Sequence, residues 1–138
     1  MPRITAQCVA AGLLAAALIA HAQNYPAKPV RIVVGFAAGG PTDVVGRLLS
    51  QKLTEKWGQP VVVEPRTGAG GNIAAEFVAR SPADGYTLLV PAFAHAVNPS
   101  LYPNLPFDTE KDFVPVALLT TSANLLAVHP SEIGRAHV

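Results

Sequence analysis

Two glycine-rich turns, each set between a β-branched run and a helical pattern, constrain this chain more than any other feature. Val30-Arg31-Ile32-Val33-Val34 is a short β-branched run, the pattern of a strand buried on at least one face. Gly35 to Pro41 is a turn rich in Gly and Ala. Val44, Val45, Leu48, Leu49, Leu53 and Trp57 then recur at helical spacing, with Arg47, Gln51, Lys52, Glu55 and Lys56 on the other faces. Thr42 or Asp43 is the expected cap of this helix, and Gly58 followed by Pro60 ends it. The unit then repeats. Val61 to Val63 is a second strand, Pro65 to Gly71 a second turn, and Asn72 to Arg80 a second helix with Ile73, Phe77 and Val78 on its apolar side. Ser81 to Gly85 makes a tight turn before a third strand, Tyr86 to Val90. Strands alternating with helices predict an α/β fold with a parallel sheet and right-handed crossovers. Beyond it, Asn98 to Asp108 reads as an irregular surface segment, and Val114 to Leu119 and Leu125 to Val128 as further strands.

The turns Phe36-Ala37-Ala38-Gly39-Gly40-Pro41-Thr42-Asp43 and Arg66-Thr67-Gly68-Ala69-Gly70-Gly71-Asn72 carry the functional expectation. In a parallel sheet both emerge at the carboxyl edge of neighbouring strands, where open α/β sheets bind ligands. Each delivers unpaired N–H groups at the start of a helix, and glycine lets the backbone approach a ligand closely. A carboxylate between them would accept bonds of about 1.5–3 kcal/mol each. The helix-end field adds about 0.3–1 kcal/mol. The same glycines also suit plain tight turns. Asp43 is expected to cap its helix and to act on the site indirectly, by fixing the loop or accepting from a ligand amine. Arg66 and Glu76 read as surface charges, and His95 lies just beyond the third strand, where a histidine also fits a structural role.

Composition matters once the N-terminus is set aside. Met1-Pro2-Arg3 is followed by an apolar run, Val9 to Ala20, and Ala20-His21-Ala22 offers small residues for a signal peptidase. Residues 1–22 are therefore expected to be a secretory signal cleaved after Ala22, the run being too short to span a bilayer. Cys8, the single cysteine of the sequence, leaves with it, which excludes disulfides and thiolate chemistry in the mature chain. Ten basic residues stand against nine acidic ones, so without Arg3 the charges balance. No basic stripe is present for nucleic acid or for a membrane surface. Catalytic patterns fail as well. The dinucleotide fingerprint begun at Gly68-Ala69-Gly70 meets Ile73 where its last glycine belongs. There is no phosphate loop and no nucleophile elbow. His95, His129 and His137 are too scattered for a metal cluster. The expectation is a binding protein without cofactor or metal, not an enzyme. The competing readings are a secreted enzyme using His95 or Asp43 in the same cleft, and a secreted sensory module.

From Tyr25 to Ser131 the chain resembles the Bug family, periplasmic solute receptors of tripartite tricarboxylate transport systems. The resemblance rests on Tyr25 to Pro29, Gly39 to Asp43, Gly58 to Glu64, Gly68 to Gly71, Pro82 to Leu89, Asn98 to Tyr102 and Lys111 to Val116. It implies a periplasmic-binding-protein fold of type II, a Venus flytrap whose α/β lobes close on a carboxylate-bearing solute, often through ordered water. It further implies substrate-binding roles for Phe36, Gly39, Gly40, Thr42 and Asp43 in the first turn, for Thr67, Gly68, Ala69, Gly70 and Gly71 in the second, and for His95. The implied partners are a small organic carboxylate or acidic amino acid and the membrane subunits of a transporter, with no nucleic acid and no insertion into the membrane after signal cleavage. Ala37 and Ala38 stand where the family commonly has prolines, Pro65 where it has an asparagine, and Pro91-Ala92 where it has small polar residues.

Family members are more than twice as long as this chain. Residues 23–131 therefore read as the N-terminal part of a receptor, holding the first part of the first lobe and the crossover toward the second. Residues 132–138 depart from the family text and translate a common sequencing-library adapter, so they are expected to be non-native. With an open sheet edge left uncovered, such a chain is expected to fold poorly alone and to bind weakly.

Overall fold

The computed structural model describes residues 25–123; the signal segment, the expected strand Leu125–Val128 and the tail lie outside them. The chain runs β1 (Val30–Val34), α1 (Pro41–Trp57), β2 (Val61–Pro65), a 3-10 turn (Ala69–Gly71), α2 (Asn72–Ala79), β3 (Thr87–Val90) and α3 (Ala94–Leu101). The three strands form one parallel sheet in the order β2-β1-β3. Val30 pairs with Val61 on one side, and Arg31 with Thr87 on the other. The predicted α/β alternation and parallel sheet are therefore present, with strand ends within two residues of those read from the pattern.

The alternation of β1 explains the layering. Ile32 and Val34 face α1, lying 3.7 and 3.3 Å from where a Cβ on Gly46 would sit. Arg31 and Gly35 face α2: the Arg31 guanidinium stands 5.4 Å from the Phe77 ring, and a Cβ on Gly35 would be 3.5 Å from Ala74 Cβ. Helices thus cover both faces of the central strand, and Val30, Ile32, Val33 and Val34 are fully buried. Leu49, Leu53 and Trp57 of α1 close over Val30, Ile32, Val34, Val61 and Val90.

Not every position on the expected helix faces turns inward. Val44 and Leu48 are 49% and 59% exposed, because α1 meets the sheet through Gly46. At 100° per residue, positions two before and two after Gly46 point to the opposite side. In α2 the buried positions are Asn72, Ala74 and Ala75, while Ile73 is exposed. There the backbone approaches the sheet so closely that only small side chains fit. Edge strand β2 is tied to α1 by side chains: Ser50 Oγ donates to the Val61 carbonyl, and the Val61 N–H donates to Thr54 Oγ1 at 3.1 Å.

Three further expectations are corrected. The N-cap of α1 is Gly40, with Pro41 at the first helical position, and neither Thr42 nor Asp43 caps it. Asn98 to Asp108 is not wholly irregular surface: α3 runs through Pro99 to Leu101, and Phe107 is buried. Pro99, the sixth residue of α3, forgoes the one backbone bond its position would make to the His95 carbonyl, and the helix ends two residues later. Val114 to Leu119 forms no strand; Val114, Val116 and Leu118 are more than 80% exposed, and no neighbouring strand among the described residues offers them a ladder. A β-branched run becomes a strand only where it finds a paired edge.

Candidate functional site

Both glycine turns leave the carboxyl ends of adjacent strands, β1 and β2, as their spacing predicts. The first turn is closed by its own residues. Gly40 N–H donates to the Ala37 carbonyl at 3.2 Å, and Gly39 N–H to Asp43 Oδ2 at 2.9 Å. Asp43 is 2% exposed and also accepts from Arg47 Nε at 2.8 Å. Its other oxygen, Oδ1, is buried without a hydrogen-bond partner among the described residues. Asp43 therefore belts the loop from inside the helix, one of the indirect roles expected of it. Gly39 and Gly40 have correspondingly spent their N–H groups within the turn.

The guanidinium of Arg47 bonded to Asp43, helped by the Gly39 N–H, holds this carboxyl below the usual carboxylate range. A depressed folded-state pKa contributes stability that is complete above the unfolded value of about 3.9 and is lost as pH falls through the folded one. Asp43→Asn is accordingly expected to be less stable than the parent at pH 7, with the difference shrinking below about pH 4. Urea midpoints of both proteins from pH 7 to pH 2.5 check this; a constant difference would remove the ionic account.

The second turn is built differently. Gly68 has φ 129°, and Ala69, Gly70 and Gly71 follow with φ of 47°, 63° and 92°. Left-handed backbone is open to glycine and costs an L side chain roughly 1–2 kcal/mol, so only Ala69 is strained in this run. Gly71 N–H donates to the Gly68 carbonyl at 2.9 Å, and Asn72 N–H to that of Ala69. The N–H groups of Gly68, Ala69 and Gly70 have no acceptor among the described residues. Successive backbone N–H groups left open in a turn are the kind of donor from which anion-binding loops are built.

A small cleft opens beside this turn, lined by Gly35, Phe36, Gly70, Gly71, Leu89, Pro91, Ala92 and His95. Its interior, ≈ 10 Å³, is about the room one water needs. Of the expected site residues, Phe36, Gly70, Gly71 and His95 meet here. Gly39, Gly40, Thr42, Asp43, Thr67, Gly68 and Ala69 lie in the adjoining turns without lining it. Gly35, Leu89, Pro91 and Ala92 were not expected as a wall, although Gly35 heads the first turn and Pro91-Ala92 directly follows β3.

His95 sits near the start of α3, half-buried, with its ring 6.0 Å from Phe107 and 5.0 Å from Phe113. Burial pushes its imidazole below the ordinary histidine range, so it is neutral near pH 7. Arg66 is not the solvated charge its position suggested. Its Nε and Nη2 bond Glu64 Oε1 at 2.8 and 2.6 Å, and its guanidinium lies 3.5 Å over Phe77. Asn98, missed as a site residue, is 3% exposed and holds the second turn through Gly70. Its sequence signal, an asparagine one helical turn after His95, is visible only once the helix is known.

No group of three or more metal-ligating side chains occurs among the described residues, and none of their helices is long and apolar enough to cross a membrane. A parallel sheet covered on both faces, with glycine turns gathered at its carboxyl edge, defines an open α/β unit of the class that holds ligands at that edge. The model of the tripartite tricarboxylate transporter family receptor matches residues 45–134, and the chain belongs to that family.

Among curated relatives, BugT of Bordetella pertussis is 43% identical over 111 residues, covering 79% of this chain and 34% of the relative. Among solved structures, MatC from Rhodopseudomonas palustris with bound malate superposes with a TM-score of 0.62 at 42% identity, over 69% of this chain and 33% of that one. A structure described as a periplasmic transporter gives 0.58 at 45% identity, over 63% and 30%. The chain spans about a third of the curated relatives it matches.

Proposed function

We propose that the protein is a periplasmic receptor, exported by cleavage after Ala22, that captures a small carboxylate-bearing solute for the membrane subunits of a tripartite transporter. The observation that carries this reading is the row of unpartnered N–H groups at Gly68, Ala69 and Gly70 beside the cleft. These donors take an anion without a cationic side chain, and Arg66 and Arg47 are already committed to Glu64 and Asp43. The malate bound to MatC supports a dicarboxylate as the solute class. The water-sized cleft that Gly70, Gly71 and His95 help to line supports contact through an ordered water. In this reading, residues 23–131 supply the first part of one lobe, and residues 132–138 do not belong to the native protein.

The receptor performs no chemistry on its solute. Asp43 is bound to Gly39 and Arg47, and His95 stands against two phenylalanine rings, so neither is poised as an acid–base pair.

A thermal-shift series with malate, a tricarboxylate, a monocarboxylate and malate diamide tests the proposal. A di- or tricarboxylate at a hundred times its Kd is expected to stabilise the protein by about 2.7 kcal/mol, raising Tm by several degrees. The diamide, which carries no charge, is expected to leave Tm unchanged. Equal shifts from diamide and malate would sink the proposal.

A further inference from the structure

We infer that Asn98 is a positioning residue: through Gly70 it sets the conformation of the second glycine turn and hence the affinity of the cleft. Its consequence for affinity rests on the carboxylate-binding reading above; its action on the turn does not.

The second turn has little to hold it from within. Thr67 to Gly70 are exposed, their φ values are positive from Gly68 onward, and the internal bonds are those of the Gly71 and Asn72 N–H groups. The restraint comes from a helix far along the chain. Asn98 Nδ2 donates to the Gly70 carbonyl at 3.1 Å and to Asn72 Oδ1 at 2.6 Å. Because the Gly70 carbonyl can only accept, the amide must present its NH₂ there. One side chain thereby bridges the last part of the turn and the first residue of α2. The Asn98 amide is also close enough to Gly70 that a Cβ there would lie 3.6 Å from Oδ1.

The same helix carries His95 one turn earlier, and His95 lines the cleft. Residues three apart lie on one helix face. Helix α3 therefore supplies His95 to the lining of the cleft directly and ties down a second part of that lining, at Gly70, through Asn98. The Gly70 carbonyl shares its peptide plane with the Gly71 N–H, whose bond to the Gly68 carbonyl orients the plane carrying the Ala69 N–H. Asn72, also held by Asn98, bonds the Ala69 carbonyl, whose plane carries the Gly70 N–H. A buried amide that satisfies two acceptors at once has no equivalent replacement: alanine removes the donor, and aspartate sets a carboxylate against two acceptors.

The test compares the protein with Asn98→Asp and Asn98→Ala, measuring amide hydrogen exchange residue by residue and malate affinity by calorimetry. In both variants the Gly71 and Asn72 amides are expected to exchange at least about tenfold faster, while amides of β1 and α1 keep their rates. Malate affinity is expected to fall at least about tenfold, with a smaller loss in Asn98→Asp at pH 5 than at pH 8, because a protonated carboxyl donates again. Unchanged exchange at Gly71 and Asn72 overturns the assignment. So does uniform acceleration across the sheet, which would mark a merely structural residue. Unchanged affinity with faster exchange overturns its link to binding. If the parent protein does not bind malate, the carboxylate reading fails in that arm, and the exchange data still decide the role of Asn98. Should Asn98→Asp fail to fold, Asn98→Ala carries the comparison.

Discussion

Gly35→Ala is expected to destabilise the protein by about 3 kcal/mol and to disturb the cleft at the same time. A Cβ at this position would lie 2.8 Å from Gly71 Cα, 3.4 Å from the Gly71 carbonyl oxygen and 3.5 Å from Ala74 Cβ. The first two are backbone atoms, which cannot rotate aside as a flexible side chain would. Relief must come from sliding α2 along the sheet or from pushing back the second turn. Overpacking in a buried site costs roughly 1–3 kcal/mol, and a clash against backbone belongs at the upper end. Gly35 does not need a positive φ, so the effect is steric and not conformational. Gly39→Ala is the matched control: its φ is 85° but nothing lies within 4 Å of the added Cβ, so its cost is the strain of about 1–2 kcal/mol alone. Denaturant unfolding of both variants, with malate titrations alongside, measures the contrast. If Gly35→Ala is no worse than Gly39→Ala, the close approach of β1 to α2 is not what shapes the cleft.

Ile32→Ala has the largest expected effect on the core, about 3.5 kcal/mol. Ile32 is fully buried at the middle of the central strand and packs against α1 where Gly46 lets the helix come close. Leaving a cavity there adds to the transfer energy lost with the side chain. Even an intact domain has only about 5–15 kcal/mol of stability, so this one change removes a large share of what the fold has. Val62→Ala on β2 is the comparison, since Val62 is 51% exposed; its cost is expected to stay below about 1 kcal/mol. Urea midpoints with an unchanged m-value would show that both substitutions act on the same folded state. A loss at Ile32 no greater than at Val62 would contradict a core centred on β1.

The layered fold was legible because it depends on local patterns. Val30 to Val34 has the composition of a buried strand, Gly58 and Pro60 mark a helix end, and the repeated unit leaves few topologies open. The carboxyl-edge position of both turns follows from parallel pairing and needed no further information. What escaped were features that depend on another segment. The apolar spacing of α1 admitted Val44 and Leu48 as core positions, since periodicity alone does not say which edge of a wide apolar face meets the sheet. Val114 to Leu119 carries strand composition but finds no partner among the described residues. Pro99 argued against a helix that nevertheless continues past it to Leu101.

The site divides along the same line. From sequence came the two glycine turns, the placement of His95 beyond the third strand, and the absence of a catalytic pattern, because each is a matter of residue type and short spacing. Tertiary structure decided which glycine donors stay open: Asp43 and Ala37 occupy those of Gly39 and Gly40, while those of Gly68 and Gly70, with that of Ala69, are left free among the described residues. It also decided that Arg66 is bound to Glu64 and Phe77, and that Asn98 reaches back across the chain to Gly70. Local sequence determines where backbone can bend and which elements form. Whether a polar group remains available for a ligand depends on every neighbour the fold brings within hydrogen-bond reach, and those neighbours come from segments far apart in the chain.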